Sequence, residues 1–206
     1  FTTAFFPNFS EMNEFFNITG AGQEYNNPTQ ELISLFVPGD TRKEVTVGVP
    51  GGFYDADSVF HALPTSTNQT YTKKYFDSSP VRADSKANWK VIRYADVLLM
   101  YAEALNENGK PQQAIPFLNQ VRTRAGLEGY PNTMSQTETR DAIVLERRLE
   151  LSFEGVRWFD LVRTGKAYEV MKDKGMAPYM TVFPIPLSQV QIINDPTIFP
   201  QNPGYD

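Results

Sequence analysis

The sequence predicts a mainly α-helical protein, on three observations. Tyr94, Val97, Leu98, Tyr101, Ala102 and Leu105 recur at i, i+3, i+4, i+7, i+8 and i+11, the spacing of one helical face, and Asn108-Gly109 closes the run. Pro111 then opens a second helix, with Ala114, Ile115, Leu118 and Val121 directed inward and Gly126 as its stop. Two helices joined by so tight a glycine turn form an antiparallel hairpin of tetratricopeptide type, and one such unit needs neighbours to bury its faces. The third observation is negative: long stretches on either side carry neither helical nor strand periodicity and read as irregular loops.

In chain order, Phe1 to Phe16 is crowded with phenylalanine but is broken by Pro7 and Asn8, so it reads as irregular backbone lying on a body. Thr29 is placed to cap a short helix whose apolar face is Leu32, Ile33, Leu35 and Phe36, and Pro38-Gly39-Asp40 ends it. Val45, Val47 and Val49 alternate as in a short strand before Pro50-Gly51-Gly52. Residues 53–84 form a polar loop studded with Phe53, Tyr54, Phe60, Tyr71, Tyr75 and Phe76; loops this long are usually functional when ordered. After the central hairpin a helix is expected from about Gln136 to Glu154, then a short one carrying Trp158, Phe159, Leu161 and Val162, closed by Gly165. Gly155 is expected to break the helix so that Trp158 and Phe159 fold back on Leu149 and Phe153. The tail, with Phe183-Pro184-Ile185-Pro186 and Asn202-Pro203-Gly204, is too rich in proline for more than a turn of helix near Gln189 to Ile193. The organisation is therefore a loop-rich segment over 1–88 and a helical segment with an irregular tail over 89–206.

Composition narrows the function. The 206 residues are 41% hydrophobic and 21% charged, ordinary for a globular protein, and a formal charge of −5 without a basic stripe argues against nucleic acid as a partner. No cysteine is present, which removes disulfides and thiolate chemistry, and no apolar run is long enough to span a membrane. The chain starts at Phe1 rather than at a methionine, which reads as a piece of a longer precursor whose N-terminal portion is absent.

Chemistry has few candidates. Glu146, Glu150 and Glu154 lie four apart on one side of a helix, beside an apolar stripe of Leu145, Leu149 and Phe153. Glu146 and Glu150 could serve as the paired carboxylates of a glycoside hydrolase, which stand roughly 5 Å apart in retaining enzymes and roughly 6.5 to 9.5 Å in inverting ones. The structural alternative is that Arg147, Arg148, Arg157 and Arg163 pair with Glu146, Glu150, Glu154 and Asp160 to fasten two helices. The single histidine, His61, has no Gly-x-Ser-x-Gly elbow to serve, and it suits a ligand contact better than a catalytic base. Asp55 and Asp57 begin like a calcium loop but lack the oxygen ligands and glycine that should follow, so no metal and no cofactor are expected. What remains is aromatic surface. Phe53, Tyr54, His61, Tyr71 and Tyr75 sit in polar sequence and can stack on the CH face of a sugar while neighbouring Asn, Asp and Gln bond its hydroxyls.

Several stretches also carry a family resemblance. Arg93-Tyr94-Ala95-Asp96-Val97-Leu98-Leu99-Met100-Tyr101-Ala102-Glu103-Ala104-Leu105-Asn106 and Asn119-Gln120-Val121-Arg122-Thr123-Arg124-Ala125-Gly126-Leu127 resemble the C-terminal region of the SusD-like (RagB/SusD) outer-membrane glycan-binding proteins. So do Glu146-Arg147-Arg148, Glu154-Gly155-Val156-Arg157-Trp158-Phe159-Asp160-Leu161, Phe183-Pro184-Ile185-Pro186 and Gln201-Asn202-Pro203-Gly204-Tyr205. Pro28-Thr29-Gln30-Glu31-Leu32 with Gly39-Asp40-Thr41-Arg42 is similar to a further signature, departing where the family commonly has Asp-Pro-Arg. The resemblance implies a fragment of an α-α superhelix from a non-enzymatic surface protein, lipid-anchored to the outer membrane upstream of this segment. It implies oligosaccharide as ligand, in some members peptide, and a TonB-dependent SusC-like transporter as partner. Ligand-contacting residues vary within the family and are not carried over by motif.

Overall fold

The protein is described by a computed structural model over residues 26–48, 52–54, 59–62, 70–74 and 88–205, with only the backbone path for 52–54 and 60–62. Phe1 to Phe16, Val49, Asp55, Asp57, Tyr75 and Phe76 lie outside the described residues. The chain divides into two compact units, Phe1–Glu154 and Gly155–Asp206.

The first unit begins with α1 (Gln30–Leu35), capped as expected by the Thr29 hydroxyl, which accepts from Leu32 N–H at 3.2 Å. The alternating valines that follow do not make a single strand. Arg42–Thr46 is instead a turn of helix, α2, and only Val47–Gly48 is strand, β1. Local chemistry overrides the alternation here: the Asp40 carboxylate accepts the Arg42 N–H at 3.0 Å, and the Asp40 carbonyl accepts the Lys43 N–H. Val45 is left 64% exposed.

Two antiparallel pairs, one nested within the other in sequence, lie in and beside the polar loop. β1 pairs with β4 (Tyr71–Thr72), and inside it β2 (Gly52–Tyr54) pairs with β3 (Phe60–Ala62). Gly48 is required at the outer pair, since a Cβ there would sit 2.2 Å from the Tyr71 ring.

α3 (Tyr94–Glu107) and α4 (Pro111–Arg124) form the expected hairpin, turning at Gly109 with φ 71°. Tyr101 and Phe117, each about two turns from that bend, meet edge-on at 4.7 Å between ring centres, which fixes the antiparallel sense. α5 (Gln136–Glu150) packs on both helices and starts with a full capping box of Ser135 and Glu138. The core joins Ala95, Leu98, Leu99 and Ala102 to Ala114, Leu118 and Val121 and to Ala142 and Ile143. The inward face of α4 is therefore the expected one. That of α3 is turned by about one residue: Ala95, Leu99 and Ala102 are buried, whereas Tyr94, Val97 and Tyr101 are exposed. α3 is apolar on two sides, and the side with small residues is the one that lets neighbouring helices approach.

α5 ends at Glu150 rather than Glu154. Residues 151–155 are turns, with Phe153 at φ 64° and Gly155 at φ 80°. Its second apolar stripe packs elsewhere: Leu149 is buried with Leu32, Phe36 and Val47, and Leu145 and Phe153 lie against that cluster.

The second unit holds α6 (Arg157–Arg163), α7 (Ala167–Met171), two short 3-10 turns and α8 (Leu187–Ile193). Gly165, at φ 68°, closes α6. Phe159 does not fold inward as expected but is 69% exposed. The proline-rich tail is held by side chains acting on backbone. Gln201 donates to the Ile185 carbonyl at 2.8 Å and accepts its N–H at 2.6 Å; Asn202 donates to the Phe183 carbonyl and Tyr205 to that of Val182. Gly204, at φ 87°, lets the chain pass the Tyr179 ring.

Candidate functional site

Glu146 and Glu150 on α5 and Glu154 in the turn after it are all buried, Glu146 completely. Each receives cations from distant segments. Glu146 accepts Arg42 Nη1 on one oxygen and Arg122 Nη1 on the other, both at 2.7 Å, with the Tyr130 hydroxyl donating at 3.3 Å. Glu150 accepts Arg93 at 2.9 Å and Arg124 at 2.5 Å. Glu154 takes Arg93 in a two-point fork at 2.7 and 2.8 Å and Lys74 on the same carboxylate. Arg42 is itself gripped by Asp40, through Nε at 2.8 Å and Nη2 at 2.7 Å. Arg122 lies over the Tyr130 ring at 4.1 Å.

The expected pairing of these acids with the arginines of their own stretch is corrected, since their cations are Arg42, Arg122, Arg93, Arg124 and Lys74. Arg147 donates to Asp96 and Arg148 to Glu31, while of the expected pairs among the described residues Arg163 with Asp160 is present. Helical neighbours four apart point the same way, so Arg147 and Arg148 face outward from the acid row toward other elements. Asp40, Arg42, Lys74, Arg93, Arg122, Arg124 and Tyr130 were missed. One signal was available: Glu146 sits between Leu145 and Arg147 on a helix otherwise inward-facing at Ile143 and Leu149, so an acid there must be buried and must find a partner.

This arrangement is unsuited to glycosidic cleavage. A general acid needs a carboxyl raised by an apolar pocket. Burial does raise Glu150, but hydrogen bonds from Arg124 and Arg93 outweigh it and hold the carboxyl below its ordinary range. Glu146 has both oxygens committed to arginines. Paired carboxylates Glu146 and Glu150 thus serve the fold, and the tyrosine beside them is pushed up to about 12 by burial and by Glu146.

The candidate ligand residues fall into three groups. Phe53 and His61 are register partners across β2 and β3, and Tyr54 is the partner of Phe60. Tyr71 is not exposed as its polar surroundings implied: it is 2% accessible, with its ring against Gly48. Tyr75 lies outside the described residues. Elsewhere, an open groove of about 610 Å³ runs between α3 and α4, lined by Tyr94, Leu98, Gln120, Thr123, Arg93 and Arg124. Both arginines there are already spent on Glu150 and Glu154, so the groove offers an aromatic face and amide or hydroxyl groups more than free charge. Among the described residues no cluster of acids and histidine is arranged to hold a metal ion, and no helix is long and apolar enough to cross a membrane.

Comparison with known proteins agrees with this scaffold. SusD-like protein P38 of Formosa agariphila is 36% identical over 156 residues, 72% of this chain and 28% of that protein. A SusD superfamily protein of Parabacteroides distasonis superposes with a TM-score of 0.71 at 30% identity, over 98% of this chain and 46% of its own. A laminarin-binding SusD-like protein superposes with a TM-score of 0.64 at 33% identity, over 91% of this chain and 40% of its own. The chain thus spans less than a third of P38 and under half of these two structures. The SusD family model matches residues 9–182, a range that takes in the helical hairpin, the fork of Asp40 and Arg42 and the row of buried acids, and the chain belongs to the SusD family.

Proposed function

We propose that the protein binds oligosaccharides at the cell surface without cleaving them and delivers them to a TonB-dependent SusC-like transporter. In this reading the full-length protein is held at the outer membrane by a lipid anchor upstream of this segment. A further segment of the same precursor covers the exposed Tyr94, Val97 and Tyr101 of α3. Family membership supports the ligand class, and the laminarin-binding relative supplies a first glycan to try.

One observation carries the assignment of the site. The β2 and β3 pairing sets Phe53 opposite His61 and Tyr54 opposite Phe60, gathering four ring-bearing residues from polar sequence onto one two-stranded element. Such rings suit the CH faces of pyranose units. Phe53, Tyr54 and His61, with Tyr75, are the contacts of this proposal, whereas Tyr71 supports them from the core. A glycan array on the full-length protein, followed by calorimetry on the best binder, tests it. Tyr54→Ala and Phe53→Ala are expected to weaken binding at unchanged melting temperature; undiminished affinity in both variants overturns the assignment.

A further inference from the structure

We propose that Lys74 is a positioning residue that locks the base of the nested strand pairs to the C-terminus of α5, and so fixes the Phe53 and His61 register pair. The ammonium leaves β4 two residues after the outer pair and reaches three acceptors. They are the carbonyls of Glu150, at 2.5 Å, and Ser152, at 3.1 Å, and the carboxylate of Glu154.

The Glu150 carbonyl is the last of α5, where the final helical C=O groups have no partner within the helix, and the Ser152 carbonyl lies in the turn that follows. A cation there also meets the negative end of the helix dipole. Arg93 Nη2 donates to the Glu150 carbonyl as well, at 3.1 Å, so two cations from distant segments cap one helix end. This accounts for α5 stopping at Glu150, since the cap withdraws these carbonyls from any further turn.

Lys74 closes a short chain of connections into the strands. The neighbouring Lys73 N–H donates to the Thr46 carbonyl at 2.9 Å, Val47 and Gly48 pair with Thr72 and Tyr71, and all four strand residues are buried. In sequence, three residues separate Gly48 from β2, so the inner pair follows directly on a base that Lys74 pins. A two-stranded ribbon alone is marginal in water, which makes such an anchor decisive for its register.

The binding half of this inference rests on the proposed function; the anchoring half does not. The test uses the full chain and two variants, Lys74→Met, which keeps an apolar stem, and Lys74→Arg, which keeps the charge. Hydrogen exchange is followed at residues 52–54, 60–62 and 71–72 and, as reference, in α3 and α4. A hydrogen bond to a charged group is worth about a tenfold to hundredfold in an opening equilibrium. Lys74→Met is therefore expected to speed strand exchange by about tenfold or more while α3 and α4 stay unchanged, with Lys74→Arg closer to wild type. Unchanged strand protection, or a loss shared equally by α3 and α4, overturns the anchor. With laminarin oligosaccharide as probe, affinity is expected to fall in Lys74→Met and recover in Lys74→Arg. Full affinity despite loosened strands overturns the positioning role, whereas a wild type that binds no glycan overturns the proposed function and leaves the exchange result to decide the anchor.

Discussion

Replacing Glu146 by Gln removes one charge at the point where four segments meet. The side chain has no solvent access, and its two oxygens hold Arg42 from the start of α2 and Arg122 from the end of α4. Glutamine preserves the shape but presents only one acceptor oxygen, so at least one arginine is left facing an amide N–H. Arg42, 7% exposed in its side chain, cannot turn to water without leaving Asp40. Breaking a buried ion pair from one side costs about 3 to 5 kcal/mol because the remaining charge is uncompensated. For a chain of this size each kcal/mol moves the melting point by about 2 to 4 °C, so a fall on the order of 10 °C is expected. Circular dichroism at the helical band measures it. Combining Glu146→Leu with Arg42→Met removes both partners and is expected to cost less than the sum of the two single changes. A Glu146→Gln protein that melts within about 0.5 kcal/mol of wild type, the range of ordinary surface substitutions, would refute the claim that this acid row holds the unit together.

Three further outcomes are expected. Glu150 has its folded pKa below the unfolded value of about 4.3, so its stabilisation is full above that pH and is lost as pH falls through the depressed value. The difference in urea stability between wild type and Glu150→Gln should therefore be flat from pH 7 to about 5 and shrink below about 4.3; a difference undiminished at pH 3 contradicts this. Tyr71→Ala opens a cavity under Gly48 and is expected to cost about 3 kcal/mol, with a lowered melting point separating it from the ligand-contact variants. Gly204→Ala forces a Cβ to within 2.4 Å of the Tyr179 ring at a left-handed φ, and thermal melting should register a loss of about 1 to 3 kcal/mol.

What could be read from the sequence was what neighbours in sequence decide. Pro111, Gly109, Gly126 and Gly165 set helix ends within a few residues of themselves, and those ends appear where their chemistry puts them. The facing of α3 was misjudged because Tyr94, Val97 and Tyr101 are as apolar as the alanine side, and only the packing of α4 and α5 chooses between them. The strand expected at Val45 yielded to a turn of helix that begins at Arg42, whose side chain is held by Glu146, 104 residues away. No local pattern encodes that distance. The same is true of the acid row: the abundance of arginine beside it was legible, but the partners come from α2, the residue two past β4, the approach to α3 and the end of α4.

In the proposed function these acids build the protein, and sugar is bound elsewhere and left whole. Incubating the full-length protein with laminarin oligosaccharides, then separating bound from free sugar and sizing both by chromatography, tests this most directly. The expected result is oligosaccharide retained by the protein and recovered at its original length. New reducing ends that appear with wild type and vanish with Glu150→Gln would contradict it.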